Sequence, residues 1–572
     1  MKEAQEIPHI SGGVSAPSKP KNWVPLTEEP LFTPRKIRIV TVGAGVSGLN
    51  MAHKIQHQYK MEDYIDHQIY EKNSEIGGTW FENIYPGVGC DIPSNSYSLP
   101  FEPNPQWSKF YVGGAEIQEY LQRAADKWNL KKNVAFNSRL FEAVWDEASA
   151  QWQLKIEQNG KIIYDKADMF VDGSGILNKP RYPTEIPGFN SYKGHRIHSA
   201  KWDKSYDYAE KRIAVIGNGS SAIQIVPQLQ KIAGHLYNVI RSPTWVTPNY
   251  LTHHTKDGAG GNFEYTQEEK DGWEAKPEEF HKYRKTVEND MNVMFPLIFK
   301  GSDAQKEVFA AATEVMKQRL NGDVDLINKL VPTWEFACRR ITPGDGYLES
   351  LQMSNVTPLF GSIDHMTGTG LVINGRHIEV DVIVCATGFD VSHVPAWKCI
   401  GKNGVDLGEL WQEDPEGYMG IVPPHMPNYF KFLGPNAPIG HGSFMPLFTW
   451  TGDYILRWAK KIATEDIRYV TVKPGAVDDY NVFAQEFLKY TVWSGGCRSW
   501  YKKYRTTGKV TGMYPGSVIH YYEMLKVIRG EDFDISYRST NRFRFFGNGL
   551  TRRELDKGDL AYYFDEYYQS KL

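Results

Sequence analysis

Apolar residues gather along this chain in short runs separated by longer stretches with helical spacing. The runs at 37–43 (I-R-I-V-T-V-G), 169–171, 212–216, 237–240 and 381–385 read as strands buried on both faces of a parallel sheet. Between them, Leu49, Met51, Ala52 and Ile55 fall on one helical face, as do Ile117, Tyr120, Leu121, Ala124 and Trp128. Trp152, Leu154 and Ile156 alternate as a half-exposed strand, and Asn159-Gly160 supplies a hairpin turn. From 253 to 331 the strand pattern gives way to charged helical sequence. There Ser302 and Gln305 fit a capping box ahead of Val308, Ala312, Val315 and Met316, and Trp273, Phe280 and Phe295 are either core or substrate-access residues. The pattern predicts an α/β protein with two Rossmann-like dinucleotide-binding domains and a helical insertion in the second.

Two strand-to-helix junctions carry glycine fingerprints. Gly43, Gly45 and Gly48 follow the first strand; Gly217, Asn218, Gly219, Ser220, Ser221 and Ala222 follow residues 212–216. Glycines there allow a tight turn that aims helix N–H groups at a pyrophosphate. A strand at 67–70 ends in Glu71, an acid suited to the ribose hydroxyls of an adenine dinucleotide; the alternative is a glycine turn that only packs helix on sheet. The equivalent strand of the second unit ends in Arg241-Ser242, which suits a ribose 2′-phosphate and hence NADPH, with a solvated surface arginine as the competing reading.

Composition narrows the classes. The 572 residues suggest three or four domains, and 41% hydrophobic with 23% charged residues is ordinary for a globular protein. A net charge of −3 without a basic block argues against nucleic acid, and no apolar run is long enough for stable membrane insertion. Residues 1–20 lack the apolar segment of a signal peptide, so a flexible leader (1–34) and a cytoplasmic location are expected. The cysteines at 90, 338, 385, 399 and 497 are odd in number and scattered, with no C-x-x-C pair. This argues against a disulfide framework or a zinc site and weakens the case for a flavin disulfide reductase; no metal is expected.

Between the fingerprints lies Y-K-G-H-R-I-H-S-A-K-W-D, residues 192–203, with Gly194, His198 and Trp202 evenly spaced; its plain reading is a polar linker. Upstream come Gly77-Gly78-Thr79-Trp80, then Tyr85-Pro86-Gly87, then Asp91. Together these stretches resemble the two signatures of the type I Baeyer–Villiger monooxygenases, a family of class B flavin-dependent monooxygenases, with Tyr192 where the signature usually has Phe. N- and S-oxygenating flavin monooxygenases share the Gly and His but usually lack the Trp-Asp ending. The resemblance runs from about Arg38 to about Gly549 and is closest to fungal members of natural-product pathways.

That resemblance implies FAD and NADPH as cofactors and insertion of one oxygen from O2 next to a ketone carbonyl, through a C4a-peroxyflavin, giving an ester or lactone. The implied substrate is a small-molecule polyketide or terpenoid ketone. Arg340, in a Cys338-Arg339-Arg340 run similar to the family's C-K-R, would stabilise the peroxide, with Asp91 as its partner; His198 would couple the two lobes. Gly78, Thr79, Trp80, Asp91 and Tyr97 would face flavin, and Arg339 and Ser242 the NADP phosphate. Thr387 and Gly388 end a strand reading A-T-G-F that returns the chain to the flavin lobe. Trp500 lies in a C-R-S-W-Y run resembling the segment that covers NADP, and the loops 434–436 and 440–443 would lie at a cofactor edge. The implied FAD domain is 35–190 with 380–572, and the NADP domain 191–379. An N- or S-oxygenating enzyme, or a non-catalytic dinucleotide-binding or sensing protein, are the alternatives; oligomeric state is not specified.

Overall fold

The computed structural model describes residues 19–247, 251–256, 258 and 260–565; the first eighteen residues of the expected leader lie outside them. Two five-stranded sheets, parallel throughout, organise the larger part of the chain. In the first the strand order is Tyr429–Lys431, Met169–Asp172, Ile37–Val42, Ile65–Tyr70, Val134–Ala135. In the second it is Val356–Phe360, His235–Ile240, Arg212–Ile216, Val382–Cys385, His195–His198. Each fingerprint strand sits mid-sheet. Ile39 and Val40, like Ile213, Ala214 and Val215, are completely buried, as the uninterrupted apolar runs require.

The two sheets repeat one local device. Gly43 and Gly217 have φ of +102° and +117°, and a Cβ on either would meet a carbonyl oxygen of the neighbouring strand's end, Gly173 at 2.6 Å or Ala386 at 2.5 Å. Only glycine can make both turns so close to the adjacent strand.

That symmetry corrects one expectation. The A-T-G-F strand, Val382–Cys385, pairs with Arg212–Ile216 and His195–His198 and so lies in the second sheet, not the flavin lobe. The expected boundary at 380 falls just ahead of it. The chain leaves the second sheet only beyond Cys385, where residues 387–390 run beside the outgoing crossover: Arg181 N–H donates to the Gly388 carbonyl, Thr387 Oγ1 to the Arg181 carbonyl, and Asp390 N–H to the Lys179 carbonyl.

Between the sheets' contributions, Ser138–Asp146, Gln151–Gln158 and Lys161–Ala167 form an antiparallel meander, with the expected two-residue turn at Asn159-Gly160, both at positive φ. The insertion is helical: Gln267–Ala275, Pro277–Asn292, Asp303–Arg319 and Val324–Leu330. Ser302 caps the third by accepting from Gln305 N–H, but the expected capping box is only half made. The Gln305 side chain turns inward instead, donating to the Leu297 and Phe336 carbonyls and accepting from Phe336 N–H, because it is buried.

Residues 19–35, 460–469 and 535–565 make a small separate unit. Leu31 N–H donates to the Leu550 carbonyl, Asn548 N–H to the Glu29 carbonyl, and Phe32 stacks on Phe545. Residues 19–34 are therefore packed against the carboxy-terminal tail, where the sequence suggested a flexible leader; tail aromatics supply the partner that local composition does not show.

Candidate active site

One cavity of about 790 Å³ runs along the carboxyl ends of both parallel sheets, where open α/β folds bind ligands. Gly43 and Gly45 line it from the first fingerprint, Gly217, Asn218, Gly219, Ser220 and Ser221 from the second. Gly48 and Ala222 do not. A Cβ on Gly48 would lie 2.2 Å from the Gly43 carbonyl oxygen, so this glycine lets the helix approach the turn; Ala222 is buried in the second lobe's core.

Gly45 and Gly78 face each other across the first part of the cavity. Their Cβ positions would come within 3.6 and 3.2 Å of the opposing Cα, leaving a slot that any side chain would fill. Glu71, 3% exposed, lines the cavity but spends both carboxylate oxygens locally, accepting from Ala44 N–H at 2.7 Å and Asn73 N–H at 2.8 Å. Burial raises its pKa, against those two hydrogen bonds. Thr79 lines the cavity beside Trp80, whose Nε1 donates to the Tyr97 hydroxyl at 3.2 Å.

The upstream signature also joins the lobes. Tyr85 donates to the Gln224 side-chain oxygen at 2.8 Å, Gln224 Nε2 donates to the Gly89 carbonyl at 3.0 Å, and a Cβ on Gly87 would meet the Gln224 carbonyl oxygen at 2.4 Å. Its glycines and tyrosine thus seat directly on the helix that follows the second fingerprint. From there the loop reaches Asp91, which accepts two hydrogen bonds from Arg340, Nε to Oδ2 and Nη2 to Oδ1, both 2.6 Å. This fork-on-fork pairing, with Asp91 as first cause, raises the guanidinium's pKa further above its usual range. Arg340 lines the cavity and 34% of its side chain stays exposed, so the charge is held without being covered.

Further along, four guanidinium groups gather. Arg241 at the rim and the half-buried Arg339 make no ion pair or side-chain hydrogen bond among the described residues. Partial burial, then Arg498 and Arg181, lower the pKa of Arg241; burial, and Arg241 among its charged neighbours, lowers that of Arg339. Glu185, paired with Arg181 at 2.8 Å, acts the other way on Arg241, but the cations outnumber it, and such an excess suits an anion. Asn218 Nδ2 donates to the Ser242 carbonyl at 2.7 Å, and Ser220 pairs with Thr342, fixing the loop beneath them. Arg181 and Arg498 were not singled out in the sequence, although Arg498 stands inside the C-R-S-W-Y run.

His198 is not in the cavity. It is fully buried; its Nδ1 accepts from Ala200 N–H at 3.1 Å, which leaves Nε2 to donate to the Gly388 carbonyl at 3.0 Å. Burial lowers its pKa to about 4, so the imidazole is neutral. Gly388 and Thr387 do line the cavity, and the hydroxyl of Tyr504 closes over Gly388, donating to the Phe389 carbonyl and accepting from Phe389 N–H. The signature's other members are structural. Tyr192 donates to the Val380 carbonyl, Trp202 stacks on Tyr208, and Asp203 caps the turn at Ser205.

Two expectations are corrected. Loops 434–436 and 440–443 do not reach the cavity: Asn436 donates to the Val510 and Met513 carbonyls and Ser443 to the Ser96 carbonyl, while neighbouring Leu433, Phe444 and Phe448 line it. And Cys338 is disulfide-bonded to Cys497, 159 residues away with Cα atoms 6.2 Å apart. The fold closes a separation that sequence spacing cannot reveal. Trp273 and Phe280 pack with tilted rings within the insertion, and Phe295 packs near Trp493, away from the cavity.

A protein with two nucleotide-binding sheets, a glycine slot at one fingerprint and an anion site at the other belongs among two-dinucleotide oxidoreductases. Residues 36–256 match the flavin-binding monooxygenase-like family. The chain is 50% identical over 545 residues to the FAD-binding monooxygenase tazF of Aspergillus terreus, covering 95% of this chain and 97% of that protein. It is 32% identical to a Baeyer–Villiger monooxygenase of Pseudomonas aeruginosa, over 84% and 88% of the two chains. Among solved structures, cyclohexanone monooxygenase from Rhodococcus sp. Phi1 bound to NADP+ shares the fold with a TM-score of 0.75 at 24% identity, over 88% of this chain and all of that one. The chain belongs to the flavin-binding monooxygenases, in the group that includes the Baeyer–Villiger enzymes.

Proposed function

We propose that this protein is an FAD- and NADPH-dependent monooxygenase that inserts one oxygen atom from O2 beside a ketone carbonyl, giving an ester or lactone. The observation that carries the reading is the forked Arg340–Asp91 pair on a cavity shared by two fingerprints. The Gly45–Gly78 slot and the first helix N-terminus suit the pyrophosphate of FAD, with Glu71 holding the turn rather than spending itself on ribose alone. Neither Arg241 nor Arg339 is ion-paired among the described residues, the nearby Glu185 being taken by Arg181, which suits the phosphates of NADPH.

Bound flavin, reduced by the nicotinamide, supplies the activation of O2. The chain's own work is electrostatic and steric. Asp91 orients the Arg340 guanidinium, which favours negative charge on oxygen at that end of the cavity. Ile92, Leu433, Phe444, Phe448 and Trp500 give the same space an apolar lining that limits water and accepts a carbon skeleton. His198, neutral and tied to Gly388, positions the crossover rather than moving a proton. An apolar polyketide or terpenoid ketone fits that lining.

Purified flavoprotein incubated with NADPH, O2 and a panel of such ketones should give products heavier by one oxygen that open on saponification. NADPH consumption yielding only hydrogen peroxide across the panel, with oxygen transferred instead to amines or sulfides, would overturn the reading.

A further inference from the structure

Two segments of the cavity wall come from distant parts of the chain: Arg339-Arg340, and Arg498-Ser499-Trp500. Each begins one residue after a half of the Cys338–Cys497 disulfide. Residues 495–506 hold themselves together well. Lys502 Nζ donates to the Gly495 and Thr506 carbonyls, Tyr504 N–H to the Ser499 carbonyl, and Arg498 to the Tyr504 carbonyl. Yet among the described residues no hydrogen bond or ion pair joins 336–341 to 495–506, apolar packing around Ala337 and Tyr501 apart. Meanwhile Arg498 is carried toward Arg241, a like charge, which opposes their approach.

We infer that the Cys338–Cys497 disulfide is a covalent latch that holds the 495–506 loop, with Arg498 and Trp500, against the Arg339-Arg340 segment, so that the dinucleotide phosphate meets a preassembled set of guanidinium groups. This rests on the NADPH reading above. With the latch closed, the ordering of the loop and the approach of like charges are settled before NADPH arrives. With it open, Tyr504 still holds to Phe389 and Lys503 to the Gln412 and Glu413 carbonyls, and binding must supply the ordering of the Arg498–Trp500 end and the approach of like charges. Opening is a two-electron reduction by a dithiol. One thiolate attacks a latch sulfur, the S–S bond breaks, and the second thiol resolves the mixed disulfide. Cys338 and Cys497 leave as thiols with two protons, and the reductant closes its own disulfide. Both cysteines are at most 2% exposed, so the exchange goes through a transient opening of the loop, and bound NADP+ should slow it.

The test uses FAD-loaded, full-length enzyme. Alkylation under denaturing conditions and intact mass should count three free thiols before reduction and five after; five before reduction would overturn the latch. Limited proteolysis should find residues 495–506 protected in the oxidised protein and cleaved after dithiothreitol treatment, and likewise in the Cys497→Ala and Cys338→Ala variants, which retain FAD. NADP+ titrated against oxidised and reduced enzyme should bind roughly tenfold more weakly to the reduced form. Unchanged protection and unchanged affinity on reduction would make the disulfide a structural staple and overturn the inference. Loss of protection on reduction, with no NADP+ binding to either form, would instead overturn the dinucleotide reading and with it the latch's purpose.

Discussion

Arg340 and Asp91 are 249 residues apart in the chain and meet through two parallel 2.6 Å hydrogen bonds at the wall of one cavity. A guanidinium so held keeps its charge at any working pH and has no rotamer search to make during reaction. Removing it should leave FAD in place and still allow NADPH oxidation under O2. Ester formation should fall by roughly 10²–10³-fold, as for loss of one donor to a developing oxyanion, with hydrogen peroxide appearing instead. Product and peroxide assays on Arg340→Ala decide it; a normal ester yield would mean the charge at this position is not used.

The glycines of the first fingerprint should separate by function. Gly45→Val places a side chain in the slot opposite Gly78 and should give folded, colourless protein. Gly48→Ala brings a methyl to 2.2 Å from the Gly43 carbonyl oxygen and should lower stability by about 1–3 kcal/mol, with flavin lost only as a consequence. Absorbance at 450 nm alongside thermal melting distinguishes the two; full flavin occupancy in Gly45→Val would contradict the placement.

Arg241 lies near Arg498 and Arg181 and forms no ion pair among the described residues, Glu185 being engaged by Arg181, which suits the anion that distinguishes NADPH from NADH. A charge-assisted contact to phosphate contributes about 1.5–3 kcal/mol. Arg241→Ala should raise KM for NADPH roughly tenfold or more and leave that for NADH nearly unchanged. Equal losses with both cofactors would assign Arg241 to scaffolding.

His198 is neutral in the fold, with burial holding its pKa near 4 against about 6.5 in an unfolded chain. The unfolded state therefore binds the extra proton first as pH falls. This residue's contribution is intact above about pH 6.5 and is lost progressively toward pH 4, by up to about 3 kcal/mol. His53, His67 and His441, each lowered to about 4 by burial, act in the same direction. Denaturant midpoints measured between pH 7 and 4.5 should fall steeply in the wild type and less steeply in His198→Gln, which can still donate to Gly388. His198→Ala should keep FAD but slow oxygenation; flavin loss in proportion to activity would reduce the residue to a fold support.

Tyr192 carries a hydroxyl that the family's usual phenylalanine lacks, and donates it to the Val380 carbonyl at 3.0 Å. Tyr192→Phe should cost about 1 kcal/mol in chemical denaturation and leave turnover unchanged. A change in NADPH oxidation would show that this contact reaches the cavity.

Much of this protein is written in short-range chemistry. A strand that must turn sharply into a helix beneath a neighbouring carbonyl needs glycine, and so Gly43 and Gly217 announce their sheets from sequence alone. The insertion's helices and the Asn159-Gly160 hairpin follow equally from local spacing. Short-range rules also misled where burial changed a residue's best partner. Gln305 abandons its capping role for two buried carbonyls, and the strand before A-T-G-F joins the sheet whose glycine turn it abuts, not the one it leads toward.

The sequence by itself determined two nucleotide fingerprints, the residue types that line them and the Arg340–Asp91 pairing as an expectation. Only the tertiary structure decided that Arg181, Arg241, Arg339 and Arg498 share one space, that Gln224 seats the Tyr85–Gly89 loop, and that Cys338 reaches Cys497. The reason is loop closure. The entropy of bringing together residues so far apart depends only weakly on their separation, so spacing carries almost no information about which pairs meet. That choice belongs to the packing of the two sheets and of the segments laid across their carboxyl ends.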